Sequence, residues 1–210
     1  MFKNLILTLT TAFLLLACSN DDSPMPPYQF ALVDLPTNSN GIATQVVFDN
    51  KETVQLTHPI SQLKADTTYR LQATFVMQNE GKVQLYNYQP ILAPEVKEYP
   101  IGTRLKHPLD VVTLWQTPRY INLQLSIKGT ANGVHYFGFA PIEHRTNADG
   151  SRTLAVELIH NQNNDPLYYT RTTYLSLPLL PLNTQLRAGI DSVQLTINTF
   201  SGHKVYKFKY

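Results

Sequence analysis

The sequence predicts an all-β protein in two parts: a small OB-like barrel followed by an antiparallel β-sandwich. Three observations carry this. From Tyr28 onward, apolar residues recur at every second position, the strand period, with almost no helical spacing. Turn signals (Asn79-Glu80-Gly81, Asn132-Gly133, Asp149-Gly150, Ser201-Gly202) separate those runs as hairpin connections do. Between the two sets of runs, Pro90, Pro94, Pro100 and Pro108 interrupt any ladder, because proline cannot donate to a sheet.

The chain opens with a removable segment. Residues 1–17 carry one charge, Lys3, ahead of a short apolar run ending Leu14-Leu15-Leu16-Ala17. The run is too short to span a bilayer, which takes ~20 apolar residues, and has the layout of an export signal. Leu15-Leu16-Ala17-Cys18 resembles the lipobox of bacterial lipoproteins, in which the cysteine is lipidated and becomes the first mature residue. Cys18 is the chain's sole cysteine, so no thiol remains for a disulfide or a nucleophile. Several acyl chains on one residue hold a protein at a membrane far better than one chain does. Residues 18–27 are polar, acidic and proline-rich, and read as an extended spacer. A Cys followed closely by Ser and Asp also resembles the surface-export signal of Bacteroidetes lipoproteins, which implies an outer-membrane, surface-exposed location.

Removing 17 residues from 210 leaves 193, enough for one large or two small domains. The formal charge of +2 falls to +1 without Lys3, so no global field attracts nucleic acid.

The barrel is placed at residues 28–106. Alternation over 42–48 predicts a strand, Asp49-Asn50 a turn, and 53–57 a second short strand. His58-Pro59 enforces extended backbone at the histidine. Tyr69, Leu71, Ala73, Phe75 and Met77 share one face of a long strand, and Val83 and Leu85 begin its return, with Tyr86 and Tyr88 on the opposite face. About five short strands are most economically closed into a barrel, which removes open edges. Residues 89–108 form the connection. Residues 110–115 read either as a helical turn begun by Pro108 or as an irregular strand.

The sandwich is placed at 107–210. Ile121, Leu123, Leu125 and Ile127 face one way, and Asn122, Gln124 and Ser126 the other. Strands follow at 134–142, at 153–160 with Leu154, Val156, Leu158 and His160 on one face, at 171–177, and at 192–199. A last strand sets Tyr206, Phe208 and Tyr210 against outward Lys207 and Lys209, which guard an edge.

His107-Pro108-Leu109-Asp110, Trp115 and Arg119-Tyr120-Ile121-Asn122-Leu123 resemble a signature of the NigD-like lipoproteins of the Bacteroidetes. So does the strand of Leu154, Val156, Leu158 and His160, with Arg171 and Leu175-Ser176-Leu177 beside it. The resemblance covers most of the mature chain and implies an OB-like domain joined to a β-sandwich. Residues 107 and 109 depart from the family's usual Asp-Pro-Ile start, and Pro118-Arg119 stands where glycine is common. The resemblance implies place and architecture, but no activity.

The residues point away from catalysis. No Gly-x-Ser-x-Gly elbow is present. Glu143, Glu157 and Asp165 sit in or near adjacent strands, which would allow a carboxylate pair, but Glu157 alternates with core residues and reads as pointing to solvent or pairing with a cation. His135, His144 and His160 lack tight ligand spacing, so no metal or cofactor is expected, and His160, at the end of the inward row, reads as a hydrogen-bonded core or rim histidine. The candidate ligand-binding residues are Tyr86, Tyr88, Tyr168 and Tyr169, off the apolar rows or in a loop. Flat rings near amide side chains suit a sugar or protein surface. The expected protein is a non-enzymatic envelope lipoprotein, held by lipid on Cys18, that binds or scaffolds an envelope protein partner or, alternatively, a glycan.

Overall fold

The structure, a computed structural model, describes residues 27–210; Cys18, its lipobox and residues 18–26 of the spacer lie outside the described residues. Five strands, β1 (Gln29–Pro36), β2 (Ala43–Phe48), β3 (Thr53–Ile60), β4 (Thr68–Met77) and β5 (Val83–Pro90), close into a barrel in the order β1-β2-β3-β5-β4. Val33, Leu35, Val46, Leu71, Ala73, Phe75 and Val83 fill it.

The remaining strands form two sheets. β6 (Asp110–Gln116), β7 (Tyr120–Gly129) and β10 (Tyr169–Pro178) make one, in the order β10-β7-β6. β8 (Tyr136–Thr146), β9 (Arg152–Asn161), β11 (Ser192–Thr199) and β12 (Gly202–Lys209) make the other, in the order β12-β11-β9-β8. The inward row of β7, Ile121, Leu123, Leu125 and Ile127, meets Leu154, Val156, Leu158, Val193, Leu195 and Ile197 across a dry core. Each fully buried side chain of this type contributes ~1.5–3 kcal/mol. Tyr206, Phe208 and Tyr210 pack against the same core, and Lys207 and Lys209 face solvent, as the alternation predicts.

Several details depart from simple alternation. Residues 110–115 are a strand, with a register shift between Val111 and Thr113. β11 pairs with β9 in parallel. The chain crosses to β10 in the opposite sheet and returns through a 3-10 turn at Leu180–Thr184, so β11 re-enters in β9's direction. β1 is a full strand where no element was expected. Its Leu32, Val33, Asp34 and Leu35 are all buried, because one face lines the barrel and the other packs on the β7/β10 sheet. In β5 a bulge opposite Thr74 and Phe75 leaves Tyr86 unopposed. Tyr88 therefore stands beside the core residue Ala73 and shares the side of Val83 and Leu85, which corrects the expected opposite face.

The proline-rich segment between β5 and β6 lies along the sandwich. It touches both sheets through isolated bridges, Leu92 to Leu175, Val96 to Phe139, Lys106 to His160 and Leu109 to Thr199. Its prolines keep it from forming a longer ladder.

Candidate functional site

The barrel is joined to the sandwich by a buried polar cluster, contributed by the outward faces of β1 and β4 on one side and β7 and β10 on the other. Arg70 is at its centre, with a side chain 4 % exposed. Its guanidinium donates to Asp49 through Nη1 (2.6 Å) and Nη2 (2.9 Å), to Asp34 (3.2 Å), to Asn122 Oδ1 (3.0 Å) and to Ser176 Oγ (3.2 Å). It also lies 3.9 Å from the centre of the Tyr120 ring, a cation–π contact. Asp34 takes a further hydrogen bond from Tyr120 Oη (2.8 Å) and an ion pair from Arg119 (2.5 Å). Asn122 Nδ2 donates to Asp49 (2.8 Å) and Ser176 Oγ to Asn122 (2.7 Å). Burial, and then the Asp34 carboxylate, push the Tyr120 phenol up to about 12, so it is always a donor here. Two acids face two arginines, and bidentate pairing fixes the angle between the two parts as well as their contact.

Where this junction opens to solvent there is a cleft of about 330 Å³. Phe30 of β1, Phe48, Asp49 and Asn50 at the end of β2, Trp115 of β6 and the following Thr117 line it. Three aromatic residues thus line the same cleft as an aspartate whose charge Arg70 already neutralises. Phe48 is braced by Phe75 (centroids 5.3 Å apart) and Phe30 by Tyr174 (5.6 Å), although Phe30 is 53 % exposed. A volume of this size is at the lower end of small-ligand sites. A smaller recess lies beyond Phe30, lined by Gln72, Thr74, Asn87 and Tyr88.

Of the four tyrosines singled out by sequence, Tyr88 borders that recess, and Tyr86 packs edge-on against Tyr28 at 5.0 Å. Tyr168 and Tyr169 are 73 % and 59 % exposed and pack on each other at the opposite end of β10. Tyr169 and Tyr174, which packs on Phe30 beside the recess, are five strand positions apart, about 17 Å, so the two tyrosine pairs form separate patches. Phe30, Asp49 and Trp115 went unremarked as site residues. The one available signal was the sole tryptophan on a short, bulged strand.

The histidines are distributed otherwise. His144 stands opposite Leu154, at the far end of β8 from His160, so the two do not meet. His160 is a hydrogen-bonded core residue, 2 % exposed. Its Nε2 lies 2.8 Å from His135 Nδ1, and its Nδ1 2.8 Å from the carbonyl of His107. Of the two readings of Glu157, solvent-facing or paired with a cation, the structure shows the second: it is buried and pairs with Lys106 at 2.9 Å. Among the described residues, no group of three or more His, Cys, Asp or Glu side chains is arranged to hold a metal ion.

A closed five-stranded barrel packed on one sheet of a two-sheet β-sandwich defines the class. Residues 93–210 match the family model of the NigD-like C-terminal beta sandwich domain, and the chain belongs to the NigD-like family. Among solved structures, it is similar to a NigD-like immunity protein from Bacteroides caccae: 23 % identity, TM-score 0.65, covering 87 % of this chain and 92 % of that one. A protein of unknown function from Bacteroides vulgatus matches at 18 % identity and TM-score 0.64, over 87 % and 90 % of the two chains. A candidate lipoprotein from Bacteroides fragilis matches at 12 % identity and TM-score 0.62, over 87 % and 98 %. These likenesses carry the fold. No curated protein matches the chain.

Proposed function

We propose that this protein is a non-enzymatic, lipid-anchored binding protein of the outer membrane, facing the cell surface, that takes its partner in the cleft between barrel and sandwich. The supporting observation is the cleft itself: three aromatic residues and an aspartate fixed by Arg70 line it, at a junction tied together by a buried ion-pair cluster. Preorganised aromatic surface binds with little entropy cost. The Leu15-Leu16-Ala17-Cys18 lipobox supplies the anchor, and a similar structure described as a candidate lipoprotein agrees with it. The partner is an envelope protein, which fits the similarity to a protein called an immunity protein.

Crosslinking in intact cells, followed by capture of the lipidated chain, tests this. The wild type should retain a reproducible membrane partner that Phe30→Glu loses, since Phe30 is exposed enough for the variant to fold. A partner retained equally by Phe30→Glu would remove the cleft from the proposal.

A glycan is the second reading, favoured by the neutralised Asp49. Held by Arg70 and Asn122, this carboxylate is an acceptor for a hydroxyl and no longer a seat for a cation. Trp115 is the only tryptophan, so its emission reports a sugar entering the cleft. A saturable change on titration with oligosaccharides selects this reading, and an unchanged spectrum eliminates it.

A further inference from the structure

On the side of the sandwich where β9 ends, a chain of hydrogen bonds runs from a backbone carbonyl to a carboxylate through two buried imidazoles. The carbonyl of His107 faces His160 Nδ1 at 2.8 Å, His160 Nε2 faces His135 Nδ1 at 2.8 Å, and His135 Nε2 faces Asp165 Oδ2 at 3.1 Å.

Proton counting decides the chemistry. A carbonyl only accepts, so His160 Nδ1 carries hydrogen. In a neutral ring Nε2 is then bare and accepts from His135 Nδ1–H. His135 Nε2 is bare in turn, and it points at a second acceptor. Three links need three protons, and two neutral imidazoles supply two. The complete chain therefore holds one extra proton, shared by the pair and balanced by Asp165. Asp165 stays ionised: the Thr130 hydroxyl (2.7 Å), the Thr130 N–H (2.9 Å) and His135 hold its carboxyl below the usual range. Without the extra proton His135 has one hydrogen for two acceptors, so lone pairs oppose each other either at the His160–His135 link or, with that hydrogen on Nδ1, at the longer His135–Asp165 link.

That link fastens a particular segment. Asp165 lies in the turn between β9 and β10, where Asn163 (φ 54°) and Asn164 (φ 58°) take the left-handed backbone that asparagine tolerates. The turn seats on the β7–β8 hairpin so closely that a Cβ at Gly129 or Gly133 would overlap the Asp165 carboxylate. Three residues further on are Tyr168 and Tyr169, the most exposed aromatic pair of the protein's described residues.

We propose that the His135–His160 pair is a protonation switch for this segment: one shared proton locks Asp165 and the tyrosine-bearing turn onto the β7–β8 hairpin, and loss of the proton unlocks them. The other groups facing the pair bear on where the switch operates. Arg171 of β10 lies 3.9 Å from Asp165 and donates to the carbonyl of Gly133 (2.5 Å). The His107 ring stands edge-on to His160 at 6.3 Å and accepts from the Gln162 N–H (3.0 Å). Phe137 of β8 stacks on His160 at 4.9 Å, and Lys106, bridged to His160 by backbone, is paired with Glu157. Burial, with neighbouring His135 and His107 adding to it, holds His160 down at about 4; burial holds His135 below its ordinary range, against the pull of Asp165. Uptake of the proton therefore falls between about pH 4 and the ordinary histidine value of ~6.5. The inference stands whether or not the cleft binds a ligand.

The test is amide hydrogen exchange of the full-length chain from pH 7.5 to 4.5, corrected for intrinsic rates, beside imidazole ¹⁵N shifts. Amides of residues 162–168 should gain about tenfold protection on acidification, the scale of one buried charge-assisted hydrogen bond. The gain should follow one titration common to His135 and His160, while amides of β7 gain nothing. His135→Asn should make the segment's protection independent of pH; should that variant not fold, the wild-type curves decide alone. Protection that stays flat or falls with β7, or two histidines titrating independently near ~6.5, would overturn the switch.

Discussion

Replacing Arg70 with methionine removes the centre of the interdomain cluster while keeping a side chain of similar length. Five hydrogen bonds disappear, two to Asp49 and one each to Asp34, Asn122 and Ser176. Asp34 keeps Tyr120 and Arg119, but Asp49 keeps only Asn122. An acid thus loses its counter-charge at a site where its side chain is 15 % exposed. Stripping one partner from a buried ion pair costs ~3–5 kcal/mol, and the partial access of water to Asp49 places this case near the lower figure, about 3 kcal/mol. A second substitution, Asp49→Asn, removes the stranded charge, so the double variant should recover about 1–2 kcal/mol relative to Arg70→Met alone. Urea unfolding followed by Trp115 emission, which reports the junction, and by circular dichroism measures both. A loss under about 1 kcal/mol, or no recovery in the double variant, would refute the view that this cluster holds the two parts together.

Cys18→Ala should release the protein from membranes, and a variant that still sediments with them would refute lipid as the tether. Tyr168→Ala combined with Tyr169→Ala should change stability by no more than about 0.5 kcal/mol, since both rings are exposed; a large drop in the denaturation midpoint would place the turn in the core. Global stability should fall in mild acid: His160 is held at about 4 when folded and returns to ~6.5 when unfolded. The unfolded chain therefore binds the proton first, so stability is full above ~6.5 and falls as the pH drops toward about 4. Denaturation at stepped pH checks this, and His160→Asn should flatten the slope. Asp191, fully buried, is held well below the usual carboxylate range by Arg187 and Arg152. Asp191→Asn should lower the denaturation midpoint at pH 7 and have little effect below the carboxylate range.

Much of the fold was legible because most strands bury one face. The rows Ile121, Leu123, Leu125, Ile127 and Val193, Leu195, Ile197 alternate cleanly, and each lines the core. β1 was illegible for the opposite reason: Leu32 to Leu35 are buried on both faces, so no alternation marks them. Irregularities in β3, β5 and β6 shift parity, which a two-residue period cannot anticipate. The candidate site was less legible still. Asp34 falls in a stretch with no alternation, Arg70 and Asn122 read as ordinary outward strand residues, Ser176 sits in a short strand run, and the four meet across sequence separations of up to 106 residues. The tyrosines drew attention as exposed aromatics, and that is what they are. Phe30 lines the cleft only because the barrel docks on the sandwich, a relation no local pattern encodes.

The cleft can be interrogated directly by placing a photoreactive phenylalanine at position 30 of the lipidated protein in living cells, with the same group at exposed Val205 on β12 as the reference. Light should yield a discrete adduct from position 30 and none from position 205. An adduct from position 205 alone, from both equally, or from neither would contradict a binding role for the cleft.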